Sequence, residues 1–467
     1  MVGISSIGVY IPRSRLDRSL IAKAWGGKQP PGDKAVAHHD EDALTLGVAA
    51  AHRCLEDFDA LEIDGLFFAS TSSPYREKQV ASVVATACDL PRQILTADFG
   101  GSVRAGVSAL SAAIRAVQSG QARRVLVVAA DCRPADPESD VEGALGDGAV
   151  AVVVDGKAKL AEFVGSAAVA EEITYQWRWD QGGGVQQQDV RFALGHGYAR
   201  DMEEVVSRVL NEHGVGTADL GALAVAAPDA KTAQSLAKQV GIDAKTQLVP
   251  ALITQVGVLG TPDALLQLAS ALEKAKSGAT VVAAAFGEGA EAILLRTTDG
   301  VAALAGRPGV GAAIERKLPL PTYEKYLKFR RIIGQDETPV ELVSNVAEFR
   351  ELAQDTRLYG TRCGSCGLVQ YPMARVCLQC KAREGLEPVK LRKKGVIFTY
   401  TVDHLAANLD HPMGMVVVDL DGGGRVYVQM TDCTPDEVKI GAPVELTYRR
   451  LHSGGENYNY YWKARPV

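Results

Sequence analysis

The sequence predicts an α/β protein with two similar halves, followed by a cysteine-rich module and a small β-barrel. Through the first 300 residues, apolar runs of strand length alternate with longer amphipathic segments. The order of these elements repeats, and the closest internal match pairs GDGAVAVVV (146–154) with GEGAEAILL (287–295). Near the C-terminus, two C-x-x-C motifs precede five short segments with strand-like patterns. These observations indicate a duplicated α/β domain joined to two smaller domains.

Each half is predicted to contain three strands and two helices. For the first half, the strands are predicted at 65–70, 125–131 and 148–154, and the helices at 77–88 and 102–117. For the second half, the strands are predicted at 222–228, 280–287 and 290–296, and the helices at 230–240 and 263–276. Because strand and helix alternate, we expect parallel sheets that are covered by helices.

Four cysteines near the C-terminus have the spacing of a metal site. Cys363, Cys366, Cys377 and Cys380 form two C-x-x-C pairs separated by ten residues, a spacing that closes a tetrahedral zinc site. Because four thiolates leave no open coordination position, the metal is predicted to stabilise the fold and to take no part in catalysis. Iron is the alternative metal, whereas redox chemistry fits two adjacent pairs poorly.

The domain boundaries follow from changes in pattern. Between residues 301 and 321 the alternation gives way to Ala, Gly and Pro, and the next segment, PTYEKYLKFRRIIG, predicts a helix. The five short segments that follow the cysteines predict a barrel of the OB type. We therefore predict two α/β halves, a linker with a helix, a zinc ribbon and an OB-fold, with the boundaries 1–155, 156–300, 301–355, 356–388 and 389–467.

Composition and charge favour a protein that acts on small molecules. The net charge of −6 offers no general attraction to nucleic acid or to anionic membranes. No apolar stretch approaches the roughly 18 residues of a membrane span, and the N-terminus lacks the pattern of a signal peptide. The other cysteines share no spacing, as is typical of reduced thiols. We expect a cytoplasmic protein with neither a nucleic-acid nor a membrane partner.

A local basic cluster is the one feature that would suit nucleic acid. Its members are Lys390, Arg392, Lys393, Lys394, Arg449 and Arg450. Aromatic residues of the predicted barrel lie nearby in sequence, but they alternate as core residues would. Because the chain is acidic overall, CoA phosphates, a partner surface or solvated charge explain the cluster better.

Several motifs resemble known families. The opening GVYIPRSRL, the segment DEDALTLGVAAA, the WRWD motif at 177–180 and the tandem α/β halves resemble the 3-hydroxy-3-methylglutaryl-CoA synthase branch of the thiolase superfamily, which is ketoacyl synthase III-like. The tail, with the cysteine pairs, KGVIFTYTV and NYNYYWKARP, resembles the rubredoxin-like zinc ribbon and OB-fold domain of the DUF35 family. The resemblance implies a five-layered thiolase fold, a coenzyme A thioester as substrate or ligand, and a homodimer.

The synthases that this chain resembles use a cysteine, a histidine and a glutamate, and all three are replaced here. The resemblance aligns Val103, in SVRAGV, with the nucleophilic cysteine. It aligns Thr71, in ASTSSPY, with the glutamate, and Ala226, in VAAPDAK, with the histidine. Since none of these side chains can form an acyl-enzyme or titrate near neutral pH, the standard Cys/His/Glu mechanism is not expected.

Polar residues near these motifs are candidates for binding or catalysis. The candidates for binding CoA or the acyl group are Arg104, Lys231, Ser102 and Gln255, the last standing for a family asparagine. The candidates for a replacement acid or base are Tyr198, His196 and Asp229. Each also has a plainer interpretation, because solvated charges at helix starts, core tyrosines and exposed turn histidines are common.

Three functions remain open on the sequence alone. The first is an enzyme for aldol or retro-aldol chemistry on a β-hydroxyacyl- or β-ketoacyl-CoA without an acyl-cysteine. The second is a non-catalytic subunit that binds CoA and docks a catalytic thiolase or hydratase, as the resemblance to bridging DUF35 domains implies. The third is an active 3-hydroxy-3-methylglutaryl-CoA synthase-like acyltransferase. A replacement base would separate the first function from the second.

Overall fold

The computed structural model describes residues 1–179, 183–334, 344–406, 409–410, 412–454 and 457–467. The chain forms two compact units. The first unit comprises Met1–Ala37 and Asp42–Tyr326, and the second comprises His38–Glu41 and Leu327–Val467. Within the described residues, no helix is both long enough and apolar enough to cross a membrane.

The strands and the helices are numbered separately, each in chain order. The strands are β1 Gly3–Tyr10, β2 Ser14–Asp17, β3 Asp33–Ala35, β4 Gly65–Ala69, β5 Leu95–Phe99, β6 Arg124–Asp131, β7 Gly148–Asp155, β8 Ala161–Ala170, β9 Gln176–Trp177, β10 Gln186–Gln187, β11 Leu220–Val225, β12 Thr280–Phe286, β13 Gly289–Thr297, β14 Leu318–Pro319, β15 Tyr359–Cys363, β16 Val369–Gln370, β17 Leu386–Lys390, β18 Lys394–Asp403, β19 Met413–Leu420, β20 Arg425–Gln429, β21 Pro443–Gly454 and β22 Asn457–Pro466. The helices are α1 Arg18–Trp25, α2 Ala43–Cys54, α3 Val80–Ala87, α4 Ala105–Gln118, α5 Val190–Phe192, α6 Arg200–Glu212, α7 Ala230–Val240, α8 Ile253–Val256, α9 Asp263–Lys274, α10 Val310–Glu315, α11 Tyr323–Phe329 and α12 Asn345–Asp355.

A nine-stranded sheet organises the first unit, in the order β11-β12-β13-β8-β1-β7-β6-β4-β5. The pairs β4–β5, β4–β6 and β11–β12 are parallel. The pairs β6–β7, β1–β7, β12–β13 and β8–β13 are antiparallel, so the expectation of parallel sheets is wrong for these strands. No helix separates β6 from β7 or β12 from β13, and a chain that turns back directly pairs antiparallel.

The internal repeat of the sequence corresponds to a structural repeat. The segment 146–154 leads into β7, and the segment 287–295 leads into β13. Each of these strands pairs antiparallel with the strand before it, β6 or β12. In both halves a long helix, α4 or α9, precedes that hairpin. The two halves are therefore copies of one βα arrangement.

Two apolar cores show that the first unit has five layers. Along β12, Val281, Ala283 and Ala285 belong to a core that also contains residues of α4 and α9. The alternate residues Val282 and Ala284 belong to a second core, which contains residues of α6 and α7. Since successive strand residues face opposite sides of a sheet, β12 lies between these two helix pairs. Helix α4 also packs on β6 and β7, and α2 packs on the same strands and on β1. The five layers are therefore α6 with α7, the part of the sheet around β12, α4 with α9, the part of the sheet around β6 and β7, and α2, which confirms the five-layered fold.

Helix α7 illustrates how local sequence sets an element. The Asp229 carboxylate accepts a hydrogen bond from the backbone N–H of Thr232 at 2.8 Å, which caps the N-terminus. Gly241 ends the helix in the left-handed conformation at φ 82°, where a side chain would be strained. The predicted bounds of this helix, 230–240, match the structure.

The second unit contains a small barrel with the predicted OB-type strands. Its sheet runs β20-β19-β18-β21-β22, and a bridge between Met430 and Ala464 joins β20 to β22. Ile397, Val416 and Trp462 are fully buried inside it. Burying such a side chain contributes about 1.5–3 kcal/mol, so this apolar interior stabilises the nearly closed barrel.

A buried ion cluster also belongs to the second unit. Arg449 is only 1% exposed and makes ion pairs with Asp40 and Glu41, at 3.3 and 2.6 Å, and with Asp432. Arg449 is thus not part of a solvated basic cluster. Lys463 also pairs with Asp40, at 2.9 Å. Four residues that precede α2 in sequence, His38–Glu41, are held by these pairs.

His38 makes the stability of this cluster depend on pH. Its ring nitrogens lie 2.9 Å from Asp40 Oδ1 and 2.9 Å from Asp410 Oδ2. Burial alone would lower the pKa of His38, but the neighbouring carboxylates outweigh it and raise the pKa to about 10. The folded state therefore binds a proton more tightly than the unfolded chain, whose histidine pKa is about 6.5. The resulting stabilisation is complete below about pH 6.5 and is lost as pH rises to about 10.

We expect the free energy of unfolding of the second unit to fall by at most about 5 kcal/mol between pH 6.5 and pH 10, because His38 loses its proton over this range. Denaturant unfolding, followed by the fluorescence of buried Trp462, measures the change at each pH. A His38→Gln variant should show a smaller fall over the same range. An equal fall in both proteins would contradict the role given to His38.

Candidate functional site

The four predicted metal ligands lie together in the second unit. Cys363 Sγ and Cys380 Sγ are 3.6 Å apart, as are Cys366 Sγ and Cys377 Sγ. All four sulfurs lie within 4.8 Å of one another. A tetrahedral site with Zn–S bonds of about 2.3 Å has S–S edges of about 3.8 Å. The cysteines therefore fit a four-coordinate zinc with no open position, and iron would require the same four sulfurs.

Two matching backbone turns position these sulfurs. In the first, the N–H of Gly367 donates to the Cys363 carbonyl at 2.8 Å. In the second, the N–H of Lys381 donates to the Cys377 carbonyl at 3.1 Å. Gly367 and Lys381 both have positive φ, 78° and 62°. The two C-x-x-C motifs thus form equivalent knuckles, and this module has a structural role.

Two adjoining cavities lie in the first unit. The first cavity has a volume of about 310 Å³ and is lined by residues that follow β4, β5, β6 and β12. The second cavity, of about 220 Å³, is lined mainly by residues of the β6–β7 connection, α5, the π-helical turn Ala193–Ala199 and the loop before α7. Both cavities are lined by Val103, Arg133, Tyr175, Gln176 and Phe286. This shared wall makes them one composite site.

The three positions that the resemblance singled out meet at this composite site. Thr71 lines the first cavity, Ala226 lines the second, and Val103 lines both. They come from loops that are far apart in sequence. The site therefore offers no thiol, imidazole or carboxyl group at these three positions.

The side chain of Thr71 is hydrogen-bonded to the buried carboxylate of Asp131. Its hydroxyl lies 3.1 Å from both carboxylate oxygens of Asp131, and its N–H donates to Asp131 Oδ1 at 2.8 Å. Asp131 also accepts from the hydroxyls of Ser70 and Ser72 and from the N–H of Thr261. A carboxylate with this many donors organises the loop after β4. Sequence reasoning missed Asp131, although it ends a predicted strand.

The predicted acids and bases have structural partners or lie outside the cavities. The Tyr198 hydroxyl donates to the Ala226 carbonyl at 3.0 Å, and burial raises the pKa of Tyr198 above its ordinary value. Asp229 lines the second cavity but caps α7. His196 is exposed, with its ring 4.7 Å from that of Phe192, and lines neither cavity.

Of the predicted CoA-binding residues, the structure brings only Ser102 to the site. Ser102 lines the first cavity and donates to the Gly287 carbonyl at 3.2 Å. Arg104 donates to the Val169 carbonyl at 3.1 Å, which ties α4 to β8. Lys231 and Gln255 are exposed on α7 and α8. Arg104, Lys231 and Gln255 do not line either cavity.

The WRWD motif contributes to the first cavity through two residues. Trp177 and Arg178 line it, and Arg178 Nη2 donates to the Thr71 carbonyl at 2.8 Å. Asp180 lies outside the described residues. The motif thus supports the same loop that Asp131 organises.

Two buried charged residues of the site were not predicted from the sequence. Arg133 is 5% exposed and lines both cavities. Asp263 is 3% exposed and lines the second cavity. Burial raises the pKa of Asp263 to about 7, and hydrogen bonds with Gln267 and Leu259 and the charge of Arg133 oppose that shift. Asp263 stands at the start of a predicted helix, where an aspartate is usually an exposed cap, so the sequence pattern held no signal for burial.

Three family models match this chain. Residues 350–387 match the rubredoxin-like zinc ribbon domain of ChsH2, and residues 388–449 match its C-terminal OB-fold domain. Residues 98–171 match 3-oxoacyl-[acyl-carrier-protein] synthase III. These matches confirm the predicted zinc ribbon and OB-fold.

Several relatives match more than two thirds of this chain along nearly their whole length. The hydroxymethylglutaryl-CoA synthase of Pyrococcus furiosus is 30% identical over 339 residues, covering 71% of this chain and 93% of the relative. That of Archaeoglobus fulgidus is 28% identical, covering 71% and 99%. Among solved structures, an HMG-CoA synthase complexed with CoA aligns with TM-score 0.64 at 20% identity, covering 72% of this chain and 92% of that one. The curacin-pathway HMG synthase in complex with acetyl donor-ACP has TM-score 0.64 at 18% identity, covering 84% and 100%.

Proposed function

Because this chain belongs to the hydroxymethylglutaryl-CoA synthase family, we propose that its first unit binds an acyl-CoA at the composite site and makes or breaks a C–C bond without an acyl-cysteine. The substrate is a β-hydroxyacyl- or β-ketoacyl-CoA, and the reaction is of the aldol or retro-aldol type. The CoA held by one similar solved structure supports the choice of ligand.

One observation carries this proposal. Val103, Thr71 and Ala226 meet at one composite site, and none of them can serve as nucleophile, base or acid. Acyl transfer through the enzyme requires a nucleophile. An aldol-type reaction instead requires a proton acceptor for a hydroxyl and a donor that stabilises an enolate. The buried charged residues at the site are compatible with the second requirement.

An exposed aromatic face of the barrel favours the alternative function, a CoA-binding subunit that docks a catalytic thiolase or hydratase. Phe398, Tyr400 and Tyr427 are 48%, 43% and 62% exposed on β18 and β20. Exposed aromatic residues are enriched at protein interfaces. The third function, a 3-hydroxy-3-methylglutaryl-CoA synthase-like acyltransferase, requires a nucleophile that Val103 does not supply.

We also propose that the protein is cytoplasmic, forms a homodimer and has no nucleic-acid partner. The resemblance and the net charge of −6 support these points. Zinc in the ribbon belongs to the same proposal, as a structural ion.

We expect the purified protein to bind a β-hydroxyacyl-CoA and convert it to an acyl-CoA and a carbonyl compound, with no covalent adduct. Calorimetry with a panel of acyl-CoAs measures binding, and mass spectrometry follows the products and the intact protein. A Val103→Trp variant fills the wall shared by both cavities and should weaken binding by about tenfold or more. Leu61→Trp, at a 66% exposed side chain outside both cavities, is the matched control.

Each outcome distinguishes one function. Binding without turnover would replace the enzyme by the docking subunit. A mass increase equal to an acyl group would support the acyltransferase. Failure to bind any acyl-CoA would overturn the proposal as a whole.

A further inference from the structure

Resting on the proposed function, we infer that Asp263 and Arg133 are its catalytic pair. Asp263 exchanges a proton with the β-hydroxyl group of the substrate, and Arg133 binds the oxygen of the thioester enolate. Neither residue lies in the motifs that carry the family resemblance. Both roles are inferred from the burial, position and charge of the two side chains.

Asp263 is placed to meet a ligand at the second cavity. It is the first residue of α9 and lines the cavity together with Val103, Tyr198 and Ala226. Its carboxylate accepts a long hydrogen bond, 3.4 Å from the N–H of Leu259, and is also hydrogen-bonded to the side chain of Gln267. An ionised carboxylate has about four acceptor positions, so these two donors leave capacity for a substrate hydroxyl.

Arg133 is a buried cation that faces both cavities. Its Nη2 donates to the neutral amide oxygen of Gln176 at 2.8 Å. Among the residues that the structure describes, no carboxylate lies within ion-pair distance of its guanidinium. Burial lowers the pKa of Arg133, and the negative charges of Asp131 and Asp263 offset only part of that cost. A negative oxygen supplied by the reacting molecule would relieve that cost.

Gly260 brings the two side chains to the same place. The backbone N–H of Asp263 donates to the Gly260 carbonyl at 3.1 Å. A Cβ atom at Gly260 would lie 2.7 Å from Arg133 Cδ and 2.6 Å from Asp131 Oδ2. Gly260 also has φ +82°, which favours glycine. The absence of a side chain at this position therefore lets Arg133 approach the start of α9.

The surroundings of Asp263 suit proton transfer near neutral pH. Burial raises its pKa to about 7, and the hydrogen bonds with Gln267 and Leu259, followed by the positive charge of Arg133, limit the rise. The other titratable groups that line the second cavity are Asp140, Tyr175, Tyr198 and Asp229. A group whose pKa lies near the working pH can both accept a proton and return it.

The retro-aldol step balances with these two residues alone. The Asp263 carboxylate takes the proton of the β-hydroxyl group, and the O–H electron pair becomes the new C=O bond of the departing carbonyl compound. The Cα–Cβ bond breaks, and its electrons form an enolate whose oxygen is bound by Arg133. The enolate carbon then takes the proton back from Asp263. The products are one carbonyl compound and one shortened acyl-CoA.

We expect Asp263→Asn to bind the β-hydroxyacyl-CoA normally but to reduce kcat by about 10²–10⁴-fold. The rate of the unchanged protein should rise with pH through about 7, because Asp263 must be ionised to accept the proton. The rate of Asp263→Asn should not show this rise with pH. Arg133→Met should lower kcat by about 10²–10³-fold, and Arg133→Lys should recover part of it. Exchange of the Cα protons of acetyl-CoA in D₂O reports enolate formation without C–C cleavage.

Asp201→Asn is the matched control. Asp201 is also a buried aspartate in the first turn of a helix, and burial also raises its pKa, but it pairs with Arg200 and does not line the cavities. Asp201→Asn should leave kcat, deuterium exchange and the pH profile unchanged. Full kcat in Asp263→Asn, or an unchanged rise of its rate with pH, would overturn the inference while the proposed function stands. If the unchanged protein converts no β-hydroxyacyl-CoA, both fail.

Discussion

Replacing Cys377 by serine is expected to unfold the zinc ribbon. Cys377 is buried, and among the residues that the structure describes its sulfur is one of the four that form the predicted zinc site. Structural zinc contributes about 10–16 kcal/mol of apparent binding free energy at pH 7, far more than the short strands β15, β16 and β17 could replace. The variant should lose its zinc, and the backbone N–H groups of residues 359–390 should exchange freely with solvent. Metal analysis and hydrogen exchange measure the two effects.

Cys132→Ser is the control for the loss of a thiol. Cys132 lies outside the metal cluster, in the first unit. This variant should keep full zinc content and normal exchange in the ribbon. Stoichiometric zinc together with normal protection in Cys377→Ser would show that the four cysteines do not form the predicted site. Colour and iron content in the same metal analysis would identify iron in its place.

Replacing Arg449 by methionine should destabilise the second unit by about 3–5 kcal/mol. Arg449 pairs with Asp40, Glu41 and Asp432 in the interior. Desolvation opposes ionisation of Asp40 and Asp432, but the surrounding positive groups hold both pKa values below their ordinary range. Without the guanidinium, Asp40 keeps Lys463 and His38 as nearby cations, and Asp432 keeps His38 and Arg465.

Calorimetric unfolding and hydrogen exchange of the barrel strands test this expectation. Arg425→Met is the control, because Arg425 forms a half-exposed pair with Asp419, and such surface pairs contribute only about 0–1 kcal/mol. The destabilisation by Arg449→Met should lessen as pH falls below about 4, since the carboxylates then become neutral in the unfolded chain. Equal effects of the two substitutions would show that the buried cluster contributes no more than a surface pair.

Features with a local physical cause could be predicted from the sequence. The zinc ligands were found because two knuckles separated by ten residues bring their sulfurs together within a short segment. The duplication was found because β7 and β13 keep the same apolar pattern after similar turns. The strands of the OB barrel were found because inward and outward residues alternate. In each case, neighbours in the chain determine the outcome.

The candidate site was predicted only in part, because its parts are far apart in the chain. The family motifs indicated Thr71, Val103 and Ala226, and the structure brings all three to the composite site. Arg133 and Asp263 were not predicted as site residues, because only their burial sets them apart from other charged residues. Gln255 and Lys231 had suitable chemistry, but they lie on exposed surfaces of α8 and α7.

The sequence by itself determined the order of the elements, the clustering of four cysteines and the duplication, and it predicted that the family's reactive side chains are replaced. Only the tertiary structure decided which polar residues share a cavity, which strands pair antiparallel, and that His38–Glu41 belong with Leu327–Val467. Periodicity and spacing depend on the backbone geometry of a few consecutive residues. Desolvation and ion pairing depend on distances between residues such as Arg449 and Asp40, which lie 409 positions apart in the chain.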